Sequence, residues 1–65
     1  MNFEYMCEWE LGKKLVTLDN FHHEPEQDCK NYGFDIYMAL KNSHVGDIVN
    51  WNEPFNGWVV VKRIS

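Results

Sequence analysis

The sequence predicts an α+β fold: a small antiparallel sheet of three to four strands with one helix packed on one face, in the order β-β-α-β. Three observations lead there. Phe3, Tyr5, Cys7, Trp9 and Leu11 recur at strict period two, the mark of a half-buried strand. Trp58-Val59-Val60-Val61-Lys62-Arg63-Ile64 is a β-branched run near the other end. Between them, Phe34, Ile36, Tyr37, Met38 and Leu40 fall at three- and four-residue spacings, which suits one face of a helix. Sixty-five residues leave room for one domain spanning 1–65, since a domain takes roughly 100–200 residues.

In the first strand, Glu4, Met6, Glu8 and Glu10 occupy the alternate positions, so one face is apolar and the other acidic. Gly12-Lys13 follows, and Gly at the first central position suits a two-residue type II′ turn. Lys14 to Phe21 then reads as a second, antiparallel strand, with Leu15 and Phe21 on one face and Val16 and Leu18 on the other. The polar stretch from His22 to Asn31 contains Pro25, which fits the first position of a helix. Glu26 and Asp28 favour that helix's positive amino-terminal end. The helical span is 25–42, in one piece or in two divided near Gly33, because glycine inside a helix costs about 1 kcal/mol relative to Ala. Ser43 to Trp51 reads either as a short strand or as a ragged continuation of the helix. Asn52-Glu53-Pro54-Phe55-Asn56-Gly57 is dense in turn formers and predicts a loop. No repeat, linker or low-complexity tract interrupts the chain.

Ten acidic against six basic side chains give a formal charge of −4. The six cations are scattered, and phosphate affinity depends on clustered Lys and Arg, so direct nucleic-acid binding is not expected. The longest apolar run, Trp58 to Val61, is far below the roughly 20 residues of a membrane helix. Met1-Asn2-Phe3-Glu4 lacks the basic and apolar regions of a secretory signal. A cytoplasmic location is therefore expected, with Cys7 and Cys29 as buried thiols rather than a disulfide.

His22, His23, Cys29 and the distant Cys7 are the residues that could hold zinc, but their spacing matches no paired-cysteine motif. No metal and no cofactor are expected. Ser43, His44 and Asp47 are sequence neighbours, an arrangement unlike a catalytic triad. Nothing marks two carboxylates as desolvated and set apart in pKa, and a chain of this size has little core with which to seal a pocket. The chain is expected not to be an enzyme.

Three Trp, three Tyr and four Phe are more aromatic side chains than so small an interior shelters, and exposed aromatic area marks contact surfaces. Tyr32, Trp51 and Phe55 are the expected partner-binding aromatics; the competing expectation is that they fold back as a lid over one end of the sheet. The acidic face of Glu4, Glu8 and Glu10 is the expected polar part of the surface. Its ordinary role would be a solvated face, partly neutralised by Lys62 and Arg63 on a neighbouring strand. The expected function is a small non-enzymatic protein-interaction module. In its brevity, acidity and aromatic content the chain resembles the accessory proteins with which phages and mobile elements inhibit host macromolecules. Two further expectations are an acidic nucleic-acid mimic that blocks a DNA- or RNA-binding protein, and a structural homodimer.

Overall fold

A computed structural model describes all residues, 1–65. The chain forms β1 (Asn2–Cys7), β2 (Glu10–Thr17), a 3-10 turn at Leu18–Asn20, α1 (Pro25–Tyr32), α2 (Ile36–Lys41), β3 (Ile48–Glu53) and β4 (Gly57–Arg63). The four strands form one sheet in the order β2-β1-β4-β3, and every neighbouring pair is antiparallel. The α+β class and the antiparallel sheet are as read from the sequence. The order is not: it is β-β-α-α-β-β, with two helices rather than one.

Two caps divide the helical span. Gly33 has φ +83°, and its N–H closes α1 on the Cys29 carbonyl at 3.1 Å; a left-handed residue at this position suits glycine. Asp35 then caps α2, its carboxylate accepting from the Met38 N–H at 3.2 Å. The segment left open between strand and helix resolves as strand. In β3, Val49, Trp51 and Glu53 alternate toward the core with Ile48, Asn50 and Asn52 toward solvent.

The first hairpin also departs from expectation. Its turn is Glu8-Trp9 rather than Gly12-Lys13. Gly12 lies inside β2 with φ +93°, where the register slips from Tyr5↔Lys14 to Cys7↔Glu10. Lys14 to Glu10 is four residue steps while Tyr5 to Cys7 is two, so β2 bulges outward. The turn takes Trp9, and the bulge Leu11, out of the period-two apolar row, and they are 72% and 98% exposed. Beyond β2, the Thr17 N–H donates to Asn20 Oδ1 at 2.7 Å. That turn delivers Phe21 to the core, edge-on to Phe3 and Trp51 at centroid distances of 6.1 and 6.3 Å.

The core is one cluster: Phe3 and Cys7 from β1, Val59 and Val61 from β4, Trp51 from β3, and Ile36 and Leu40 from α2. All of it lies on the face that carries the helices. On the opposite face the register aligns Leu15, Glu4, Lys62 and Ile48 in one row across the sheet, and no helix covers them. Cys7 is buried as expected; Cys29 is exposed instead, because α1 turns it away from the sheet. No helix is long and apolar enough to cross a membrane.

Candidate functional site

Two regions stand apart from ordinary packing. The first is one end of the sheet, where the Glu8-Trp9 turn meets the Pro54–Asn56 turn. The Glu8 N–H donates to the carbonyls of Trp58 at 2.9 Å and Asn56 at 3.2 Å. In return, Glu8 Oε1 accepts from the Trp58 N–H at 3.4 Å. Glycine at 57 is required for this approach, since a Cβ there would lie 2.8 Å from Glu8 Cβ. The two turns and the strand residues beside them carry Trp9, Leu11, Phe55 and Trp58; Phe55 is 91% exposed and Trp58 41%. Glu8 and Glu10 are exposed at the same end, and Glu10 is ion-paired with Lys14.

The second region is a cleft of about 540 Å³ on the helix side of the sheet. Tyr5, Val16, Phe21, Tyr32, Ile36 and Trp51 are its apolar and aromatic lining, and Glu24, Asp28 and Glu53 its carboxylates. Glu53 is held from two directions: Trp51 Nε1 donates to Oε2 at 2.8 Å and Asn56 Nδ2 to Oε1 at 2.7 Å. Asp28, on α1, is only 8% exposed, and its Oδ2 has no hydrogen-bond partner. Burial, chiefly, pushes its carboxyl above the ordinary range; the nearby Asp35 and Glu24 add to this, while the Ile36 amide opposes it. Burial and then Glu53 raise the Tyr5 phenol to about 12. The same two causes, followed by Asp28, raise that of Tyr32. Both phenols are therefore neutral hydroxyls at physiological pH.

The residues expected at a partner surface are dispersed. Phe55 is exposed at the turn end. Trp51 is not exposed: it is a core residue, 6% accessible, because strand alternation in β3 points it toward Phe21 and Phe34. That placement is the folded-back alternative for this residue. Tyr32 is half-buried on the cleft wall. Glu4 lies on the uncovered sheet face in the middle of β1, 3.7 Å from Lys13 and opposite Lys62, whereas Glu8 is in the turn and Glu10 begins β2.

Sequence reasoning missed Trp9, Leu11 and Trp58 as surface residues and Asp28 and Glu53 as cleft residues. The signal for the first two was Gly12, which fits a bulge as well as a turn. Asp28 gave none, since an acid in the first turn of a helix is ordinary. Around the histidines, His23 Nδ1 stands 3.9 Å from Asp35 Oδ1 and its ring packs on Tyr37. No three His, Cys, Asp or Glu side chains converge as metal ligands. Comparison of the chain with protein-family models, with curated proteins and with solved structures finds no match.

Proposed function

We propose that this protein is a small non-enzymatic interaction module that docks another protein through the turn end of its sheet. The observation that carries this reading is the exposure of Trp9 and Phe55 on two turns hydrogen-bonded to each other, with Leu11 and Trp58 exposed on the strands beside them. Apolar anchors of this kind, aromatic ones above all, dominate binding energy at protein interfaces. Strand turns tied together by backbone hydrogen bonds present them with little ordering cost. Glu8 and Glu10 at the same end, on a chain of charge −4, fit a partner whose apolar pocket is rimmed by basic residues. An inhibitor or modulator of a host macromolecule would use such a surface, by simple occlusion.

The nucleic-acid mimic finds less support, because Lys13 and Lys14 sit against Glu4 and Glu10 and interrupt the single-sign field that mimicry needs. The test uses two baits, the natural chain and the Trp9→Ser/Phe55→Ser double variant, both exposed-site changes. A protein captured by the first and lost by the second, with equal melting temperatures, supports docking at this end. Capture by both equally, or a homodimer in light scattering that the variant abolishes, overturns docking of a different protein.

A further inference from the structure

The cleft beside α1 is one-sided in charge. Among the thirteen residues that line it are three carboxylates and one histidine, His22, but no Lys or Arg. Glu53 is already oriented by two donors. Asp28 is not: it is more than nine-tenths buried and one of its oxygens is unpartnered. A buried carboxylate oxygen left without a partner destabilises the fold that contains it, even where the Ile36 amide favours the charged group. The group that completes it must donate hydrogen bonds, and a cationic donor does so most strongly.

The walls narrow the choice. Tyr5, Phe21, Tyr32 and Trp51 give the cleft ring surfaces, which favour a flat, weakly hydrated cation over a compact ammonium. A metal ion needs convergent ligands, and these carboxylates do not converge. A guanidinium does not need convergence, because its five N–H groups reach several separated acceptors at once.

We propose that this cleft binds a guanidinium group, with the Asp28 carboxylate as its principal acceptor, Glu24 and Glu53 supplying further negative charge, and the aromatic walls packing against its plane. An arginine side chain of a partner and a free guanidino compound offer the same chemistry. The inference does not depend on docking at the turn end, and it stands or falls separately.

The test is a two-dimensional NMR titration of the ¹⁵N-labelled chain with methylguanidinium chloride, using sodium chloride at matched ionic strength as the reference. The expected result is a saturable shift of the Trp51 indole N–H and of the Asn31 and Tyr32 amides, with a dissociation constant around millimolar for so few atoms. Asp28→Asn should weaken it about tenfold or more, the effect of removing a charged acceptor. Glu24→Gln, at an exposed position, should weaken it by a smaller factor and serves if the first variant does not fold. Agmatine and an acetylated, amidated Gly-Arg-Gly peptide form the two source arms; tighter binding of the peptide assigns the site to a protein partner's arginine. No saturable shift, equal binding by Asp28→Asn and Glu24→Gln, or equal affinity for methylammonium each overturns the proposal. Retention of methylguanidinium binding by the Trp9→Ser/Phe55→Ser variant shows that the cleft acts independently of the turn end. Its loss there overturns the cleft as a separate site.

Discussion

The Trp51 indole donates to Glu53 at 2.8 Å, a bond between residues two apart on one strand and therefore on one face. It satisfies the polar atom of a core aromatic, and it fixes a carboxylate at the cleft. Glu53→Ala should cost about 1–3 kcal/mol by leaving the buried N–H without an acceptor. Glu53→Gln should cost less, because the amide oxygen still accepts one bond. Urea midpoints of the two variants measure the difference, and equal midpoints would show the bond to be dispensable.

Asp28→Asn should stabilise the protein at neutral pH. The folded pKa lies above the unfolded one, so the carboxyl is protonated in both states at low pH and carries no penalty there. The penalty grows as pH rises through the unfolded value, about 4, and is complete above the folded value. The variant should therefore be more stable near neutrality by on the order of 1 kcal/mol, the usual cost of a buried unpartnered polar group. That advantage should vanish below about pH 4. Chemical denaturation of both chains across this range checks the sign.

Tyr5 should titrate late, near 12. With its folded pKa above the unfolded value, stability is unaffected below about pH 10 and declines as pH rises from there toward 12. Absorbance at the tyrosinate band should resolve one late step, which moves down in Glu53→Gln because that variant removes the second cause of the shift.

Trp51 and Phe55 should separate cleanly. Trp51→Ala opens a core cavity and should cost about 3–5 kcal/mol, enough to unfold much of a domain this small. Phe55→Ala should lie within about 0.5 kcal/mol of the natural chain, as at other exposed positions. Thermal melts decide this, and a large loss at Phe55 would make it a structural residue rather than a docking one.

Gly57 and Gly46 offer a matched pair. Both have positive φ, so alanine is strained at each. Only at Gly57 does the new methyl also meet a neighbour, Glu8 Cβ at 2.8 Å. Gly57→Ala should be the more destabilising by about 1 kcal/mol or more, with loss of the ordered turn end visible in Trp9 fluorescence.

Much of the fold was legible in the residues. Period two in Phe3–Cys7 and β-branching in Val59–Val61 mark the strands that became the centre of the sheet, and Ile36 and Leu40 meet them as expected. The misreading of the first turn has a single cause: a glycine with positive φ serves a bulge and a tight turn equally well, and alternation past Cys7 continues for reasons unrelated to burial. The two helices hinge on Gly33 and Asp35, both of which are local signals, whereas β3 depends on pairing with β4 and has no strong local pattern of its own. The cleft was not legible. Glu24 and Asp28 share the first turn of α1 while Glu53 ends β3, and only the packing of α1 against the sheet brings the two elements together.

The order β2-β1-β4-β3 has a kinetic corollary. Each outer strand is joined to its neighbour by a short hairpin, and those pairs close quickly. The central seam couples Phe3 to Arg63, which means closing a loop of nearly the whole chain before Phe3, Val59 and Val61 can pack. Such a closure raises the entropic barrier, so the hairpins precede the seam and the hydrophobic centre locks last. Amide exchange along β1 and β4 should then report global opening, while the rims of the sheet exchange sooner through local fraying.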